Sequence, residues 1–341
     1  MENFLLVMDN ETFSNVSMTE KVNSVDYVPG NAGQRVFEGL FEGIATDYAM
    51  VEIDDQGELD IIASTAEGGV SEETGEEQRV RKLVEIPSIE TKKKILPNQI
   101  ANVPAFGGGM PDLLSSMEDV VASRMAKDMA RHQLTRENLR LGALQGKVLD
   151  KGGGVIADLF ELFGVSAPAD MEYAYGTDGA DIQLYAQSVW REMKGALRGS
   201  AVPPSARIHC FCGSDFFDAV VVGARDAARG WEKAEKVMGE SHAYRAFMHA
   251  GVLFEDYQGS TNSSVGIGPK EARFFWTGFP GMYVEWGAPI KSFGITNTIG
   301  LPMYARMKWD RDYGDWAELR MQQRPLPICR RPGTLIRGFI P

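Results

Sequence analysis

One stretch, Asp112 to Gln145, constrains the fold most, because it predicts a single helix about 50 Å long. Pro111 and Asp112 are helix-start signals, and Gly146 can stop the helix. A helix this long exceeds what a compact domain needs, so we expect it to span the molecule or to present a flank to a partner. The alternative is a long core helix with a frayed or kinked end. Apolar residues recur there at three- and four-residue steps, on one stripe: Leu113, Leu114, Met117, Val120, Val121, Met125 and Met129.

The stretch from Phe41 to Lys94 predicts a long hairpin with opposed blocks of charge. Outgoing strands are predicted over 44–53 and 59–63, and a returning strand over 80–91. A hairpin of this kind is suited to lying across a neighbouring subunit, so its charged residues are predicted inter-subunit contacts. The alternative is a solvated loop without a partner. The acidic tip contributes Glu72, Glu73, Glu76 and Glu77, and the basic return contributes Arg79, Arg81, Lys82, Lys92, Lys93 and Lys94.

The rest of the chain predicts a mixed α/β region and an extended tail. A linker rich in Pro and Gly covers 97–110, and a second hairpin with a glycine turn covers 147–158. Asp181 and Ser214 are predicted helix caps. The tail, 303–340, is predicted to be extended and interrupted by prolines. Further helices are predicted over 182–197, from 214 and over 231–238, and strands over 207–212, 247–257, 272–277 and 282–286, the last two as a pair.

Composition excludes several classes of protein. The net charge of −12 and a pI near 5.0 argue against a general nucleic-acid-binding surface. Three cysteines, an odd number without paired spacing, argue against a secreted disulfide framework and favour a reducing cytoplasm. The first ten residues, MENFLLVMDN, fit neither a signal peptide nor a membrane span.

No catalytic or cofactor motif stands out in the sequence. The nearest to a metal site is His209-Cys210-Phe211-Cys212, but strand alternation directs His209 away from the two cysteines. His132, His242 and His249 lack zinc-site spacing. Two buried thiols are therefore the preferred interpretation, and we predict no metal, no cofactor and no enzymatic activity. A glycine-lysine segment over 142–148 lacks the spacing of a phosphate loop.

Several segments together resemble one known family. They are 278–283 (GFPGMY), 288–289 (AP), 297–305 (NTIGLPMYA), 325–332 (PLPICRRP) and, at the end of the long helix, 135–148. In order and spacing these segments are similar to the lambda-type phage major capsid protein E family. The resemblance implies an α+β fold of the Hong Kong 97 type. It implies an N-terminal arm over 1–39, an extended E-loop hairpin over 40–96, and a P-domain over 97–159 with a spine helix over 112–145. An α/β A-domain over 160–300 and a C-terminal return to the P-domain over 301–341 would follow.

The resemblance also implies a function. The chain would be the major capsid protein of a tailed bacteriophage, assembling through hexamers and pentamers into an icosahedral shell around double-stranded DNA. Scaffold, portal and decoration proteins would be partners, no membrane would be involved, and assembly would take place in the bacterial host cytoplasm. Shell expansion implies a bendable subunit, with Gly107, Gly108 and Gly109 as a hinge or, alternatively, a simple loop. The alternatives are a nanocompartment shell holding enzyme cargo and a soluble metal-dependent hydrolase using His209, Cys210 and Cys212.

Overall fold

The computed structural model describes residues 14–24, 32–54, 79–101, 113–175, 181–198, 200–228, 245–257, 265–295 and 297–341. The predicted strand over 59–63 and the predicted helix over 231–238 lie outside these ranges. A single π-helical turn covers Gly33–Phe37 and a 3-10 turn covers Pro332–Thr334. The helices are α1 (Asn15–Ser24), α2 (Asn98–Ala101), α3 (Leu113–Gln145), α4 (Leu159–Phe163), α5 (Ile182–Gly195) and α6 (Ser214–Ala228).

Sixteen strands cover the rest of the described secondary structure and form five sheets. The strands are β1 (Phe41–Gly43), β2 (Tyr48–Asp54), β3 (Arg79–Glu85), β4 (Ile89–Ile95), β5 (Lys147–Leu149), β6 (Val155–Asp158), β7 (Met171–Glu172), β8 (Arg207–Cys212), β9 (Ala246–His249), β10 (Val252–Asp256), β11 (Glu271–Thr277), β12 (Tyr283–Gly287), β13 (Tyr304–Trp309), β14 (Ala317–Gln323), β15 (Pro325–Cys329) and β16 (Ile336–Phe339).

The long helix α3 agrees with the sequence prediction to within one residue, and it runs through two separate apolar cores. Its middle part places Val121, Met125 and Met129 against α1 and the underside of a three-stranded sheet. Its last turns place Leu139 and Leu144 in the larger core. Because its middle part and its last turns lie in different cores, the helix connects the two cores.

The three-stranded sheet has the order β13-β14-β4, and it corrects the predicted returning strand. That strand was expected to continue from 80 to 91, but β3 ends at Glu85 and β4 begins at Ile89. Pro87 lies between them and has no N–H for a sheet ladder, which explains the interruption. Strand β4 pairs antiparallel with β14 and places Lys94 opposite Glu318, which lies 224 residues further along the chain. Lys92, Lys93 and Lys94 therefore belong to this sheet.

The largest sheet has six strands in the order β7-β16-β11-β8-β10-β9 and is buried on both faces. On one face Cys210 and Phe274 lie towards α5 and α6, where Tyr185 meets the Phe274 ring edge-on. On the other face Phe211 and Phe275 lie towards Tyr257 and the end of α3. This two-layer cover explains how the consecutive residues Phe274, Phe275 and Trp276 are all buried without a partner chain.

One strand prediction in this region was wrong in its continuity and another was wrong in its pairing. The strand expected over 247–257 is a tight hairpin of β9 and β10, because Ala250 and Gly251 both take positive φ values of 48° and 82°. The strands expected to pair over 272–277 and 282–286 belong to different sheets. Strand β11 lies between β8 and β16, whereas β12 lies between β1 and β15.

The C-terminal tail is extended, as predicted, and it contributes to three sheets. Strands β13 and β14 pair with β4, β15 pairs with β12, and β16 pairs with β11 in the six-stranded sheet. The last strand therefore lies with the elements of the expected A-domain rather than with β13 and β14. The domain boundaries expected from the resemblance stay a prediction.

The aromatic side chains packed on both faces of the six-stranded sheet should contribute most of its stability. Phe274 is completely buried, so Phe274→Ala should lower the free energy of unfolding of the unassembled subunit by about 3–5 kcal/mol. Denaturant titration followed by circular dichroism measures this loss. Phe293→Ala is the matched control, because Phe293 is fully exposed and its removal should change the unfolding free energy by less than about 0.5 kcal/mol. Equal effects of the two substitutions would contradict the assigned core.

Candidate functional site

The predicted contact residues divide into those inside and those outside the described structure. Glu72, Glu73, Glu76 and Glu77 lie outside it, as do the three hinge glycines over 107–109. Arg79, Arg81 and Lys82 lie on β3, and Lys92, Lys93 and Lys94 lie on β4. The basic residues thus belong to two separate structural units, a hairpin and a sheet.

The hairpin of β2 and β3 has one face towards the body and one face towards solvent. Ala49 and Val51 are buried in the larger core. The opposite face exposes Tyr48 and the directly paired side chains of Met50 and Leu83. Lys82 donates a hydrogen bond to the carbonyl of Glu161 at 3.1 Å, which ties the hairpin to α4. The outer face is therefore an apolar strip available for contact.

Arg324 fixes the root of this hairpin from inside the protein. Its guanidinium donates to Asp47, just before β2, and to the carbonyl of Ile86, just after β3, at 3.0 Å. A third bond, to the carbonyl of Pro289 at 2.7 Å, joins this root to the following loop. The hydrogen bond from Arg324 lowers the pKa of Asp47, outweighing the opposite effect of burial. The buried guanidinium of Arg324 therefore contacts both ends of the hairpin, where β2 and β3 join the rest of the protein.

A second exposed apolar group lies beside the hairpin root. Pro289, Ile290 and Phe293 line an open cleft together with Ala45 and Tyr48. Phe293 and, a few residues on, Ile299 expose large apolar side chains in this loop. Exposed apolar surface of this kind is typical of a contact with another protein.

The three lysines of β4 have different environments. Lys93 faces α3 and forms an ion pair of 2.7 Å with Asp128, whose side chain is buried. Lys92 faces outwards and pairs with Glu90 at 3.2 Å. Lys94 also faces outwards, with its Nζ 5.3 Å from the centre of the Trp316 ring. Lys93 therefore forms a contact within the subunit, whereas the side chains of Lys92 and Lys94 are exposed at the surface.

Inside the protein, two arginines of α3 enclose the carboxylate of Glu285 on β12. Arg136 Nε donates to Oε1 at 2.5 Å, and Arg140 donates to Oε2 through its terminal nitrogen at 2.5 Å. All three side chains are buried. Burial alone would raise the pKa of Glu285, but the two positive charges and their hydrogen bonds outweigh it and the pKa is lowered. This cluster joins the long helix to the central strand of the β1-β12-β15 sheet.

A second buried carboxylate, Glu137 on α3, binds the backbone at the start of the π-helical turn. It accepts hydrogen bonds from the backbone N–H groups of Ala32 at 2.7 Å and Gly33 at 3.1 Å. The Tyr257 hydroxyl donates to the same carboxylate at 3.1 Å. Burial raises the pKa of Glu137, and these bonds only partly offset that effect. Sequence reasoning did not predict either buried carboxylate, because no local pattern indicates a partner more than a hundred residues away.

The residues considered for a metal site do not converge. His209 Nε2 lies 2.8 Å from Glu255 Oε2, which Arg35 Nε also contacts at 3.0 Å. Cys210 and Cys212 lie on the other face of β8, as predicted, with their sulfur atoms 3.4 Å apart. Burial raises the pKa of the Cys210 thiol well above its usual value. Within the described ranges no group of three metal-ligating side chains occurs.

Comparison with known proteins was made for the whole chain. Residues 14–340 match the sequence model of the family described as "Phage major capsid protein E". The major capsid protein of Salmonella phage Felix O1 is 22% identical over 365 residues, covering 97% of this chain and 98% of that protein.

Solved structures give a similar result. A capsid protein of an Escherichia coli CFT073 prophage superposes with a TM-score of 0.58 at 12% identity, covering 94% of this chain and 96% of the other. The mature capsid of bacteriophage PhiM1 gives a TM-score of 0.50 at 13% identity, with coverage of 92% and 90%. Among the helices of the described residues, none combines the length and the apolar character needed to cross a membrane.

The buried cluster around Glu285 gives a test of how the long helix is held. Glu285→Gln should lower the unfolding free energy at neutral pH by about 3–5 kcal/mol, because it leaves two buried guanidinium groups without their counter-charge. Denaturant titration of the unassembled subunit measures this. Glu192→Gln on α5 is the control, since Glu192 is exposed, and it should change stability by less than about 0.5 kcal/mol.

The same variant has a defined pH dependence. Since folding lowers the pKa of Glu285, its stabilisation is fully present above the ordinary carboxyl pKa of about 4.3 and is lost as the pH falls through the lower folded value. The stability difference between wild type and Glu285→Gln should therefore shrink on acidification below about pH 4. A difference that stays constant or grows towards acid would contradict the ionised cluster.

Proposed function

The chain belongs to the phage major capsid protein E family, and on that premise we propose how its subunits build and stabilise a shell. It is a structural protein of the virion, the major capsid protein of a tailed phage, and not an enzyme. Its fold is the α+β fold of Hong Kong 97-like capsid proteins, as the resemblance implied. The nanocompartment and hydrolase alternatives are not favoured by these comparisons. Such subunits assemble with copies of themselves into icosahedral shells.

The shell is proposed to consist of hexamers and pentamers that enclose double-stranded DNA without sequence-specific contact. Scaffold, portal and decoration proteins are its proposed further partners, and the bacterial host cytoplasm is its proposed place of assembly. The family match over residues 14–340 carries this proposal, because it covers nearly the whole chain.

Contacts between subunits are proposed to combine apolar and charged surfaces. The apolar strip of Tyr48, Met50 and Leu83 and the exposed Phe293 would supply most of the free energy of association. The predicted charged residues over 72–94 would each contribute about 0–1 kcal/mol, since exposed ion pairs are weak. Repetition over a closed shell makes such weak contacts sufficient, and charge makes assembly sensitive to salt.

Sedimentation of the purified protein, followed by electron microscopy of the fast fraction, tests the proposed function. Hollow polyhedral shells or hexamer and pentamer rings are expected. A monomer or dimer that persists when a scaffold protein is co-expressed would contradict it. Particles that hold a protein cargo instead of DNA would replace the proposed phage shell with a nanocompartment.

Substitutions of the three lysines of β4 distinguish contacts between subunits from contacts within the subunit. Lys92→Glu with Lys94→Glu should reduce shell yield at moderate salt while leaving the unfolding midpoint of the subunit near that of wild type. Lys93→Glu alone should destabilise the subunit by about 3–5 kcal/mol, because it places a second carboxylate against buried Asp128. Sedimentation gives the shell yield and thermal unfolding gives the stability. Normal shells from the Lys92 and Lys94 variant would contradict the contact role of these two residues.

The hinge over 107–109 is proposed from the sequence and from the shell expansion that the family implies. Amide hydrogen exchange followed by mass spectrometry should show a difference between procapsid and mature shell in peptides covering these glycines. Peptides from β8 and β11 in the six-stranded core are the internal control and should not change. Identical exchange of the glycine segment in both states would argue for a simple loop.

A further inference from the structure

Polar contacts on two consecutive turns of α3 attach the helix to the inner side of the three-stranded sheet. Asp128 forms its ion pair with Lys93 on β4 at 2.7 Å, and His132 Nε2 lies 3.0 Å from Thr91 Oγ1 on the same strand. From β14, the side-chain amide of Gln323 donates a hydrogen bond to the backbone carbonyl of His132 at 2.8 Å. Residues four apart on a helix share one side, so these contacts form a continuous row.

This row ends where α3 passes from one apolar core to the other. Met129 belongs to the smaller core and Leu139 to the larger one. Between these two positions, the buried side chains of α3 are those of His132, Arg136 and Glu137, all of them polar or charged. The contacts of the helix at this junction therefore depend on the charge states of its side chains rather than on apolar packing.

The imidazole of His132 has little capacity to accept a proton in this position. The residue exposes only 1% of its surface, and its Nδ1 atom is buried without a hydrogen-bond partner among the described residues. A protonated imidazole has two N–H donors, but Thr91 supplies an acceptor for only one of them. Burial lowers the pKa of His132, and the negative charge of Asp128 opposes that effect only in part.

The charged groups around the ring do not provide a free counter-charge. Asp128, one turn earlier on α3, is matched by Lys93 at 2.7 Å and by Arg131 at 3.6 Å. Arg136, one turn later, is a further cation. The contact from β14 is the uncharged Gln323. A proton on the imidazole would therefore add positive charge to surroundings whose negative charge is already paired.

We propose that His132 makes the contact between α3 and the three-stranded sheet sensitive to pH, closed at neutral pH and opening when the imidazole takes up a proton. Since the folded state disfavours the proton, the stabilisation is complete above the ordinary histidine pKa of about 6.5 and is lost progressively below it. Opening would let the sheet shift relative to α3 at the junction of the two cores. The inference concerns the subunit itself and does not depend on the proposed shell.

Distances between spin labels test this opening in the full-length subunit. The first label pair, Lys127→Cys with Lys92→Cys, joins the exposed side of α3 to the outer side of β4. The control pair, Lys92→Cys with Lys308→Cys, lies within the sheet. All three native cysteines are buried, which directs labelling to the introduced sites. From about pH 8 to about pH 5, the first distance should increase by several ångströms, whereas the control distance should not change.

Histidine variants carrying the same labels identify the group that responds. In His132→Gln the side chain can still bond to Thr91 but takes up no proton, so the first distance should keep its neutral-pH value. If that variant fails to fold, His132→Phe replaces the imidazole with another ring that does not titrate. His249→Gln is the matched control, because burial also lowers the pKa of His249, which lies in the six-stranded sheet. This control should keep the wild-type response.

Thermal unfolding provides a second measurement that needs no labels. On the same acidification, the unfolding midpoint of wild type should fall by about 2–4 °C more than that of His132→Gln. Equal falls would contradict the proposal, as would an unchanged label distance in wild type. Equal lengthening in wild type and His132→Gln would assign the response to another group, such as Glu137. Loss of the response in His249→Gln would place the responding group in the six-stranded sheet and overturn the role of His132.

Discussion

The carboxylate of Glu285, enclosed between Arg136 and Arg140, is the contact on which the rest of the subunit depends. A lone buried charge would cost several kcal/mol, so this strand and this helix are stable together only in one relative position. The two arginines are four residues apart and therefore share one side of α3. Their guanidinium groups also lie over the rings of Phe41 and Phe37, so the cluster also contacts the π-helical turn and β1.

Around this fixed centre, the surfaces proposed for assembly are peripheral. The hairpin leaves the body at Arg324, and the exposed loop with Phe293 lies beside that root. Lys92 and Lys94 face outwards from the three-stranded sheet. In some proteins buried ion pairs contribute to conformational specificity, and here the Glu285 cluster favours one relative position of α3 and β12.

The sequence predicted features that depend on local pattern. The long helix, the hairpin at 147–158, the strand at 207–212 and the common face of Cys210 and Cys212 all follow from spacing over a few residues. The partners of strands could not be predicted in this way. Nothing near Lys92 indicates that its strand pairs with β14, and nothing near Trp276 indicates that β12 leaves for another sheet. The sequence around Lys93 does not distinguish it from Lys92 and Lys94, because its buried partner Asp128 lies on another element, α3.

A near-atomic electron-microscopy map of the assembled shell tests the central claim most directly. Different copies of the chain within one shell should all keep the Glu285 carboxylate within hydrogen-bonding distance of both Arg136 and Arg140. Differences between copies should instead be concentrated in the hairpin and the loop around Phe293. A map in which α3 separates from β12 in some of the copies would contradict the account, because the buried cluster would then be a variable contact rather than the fixed centre.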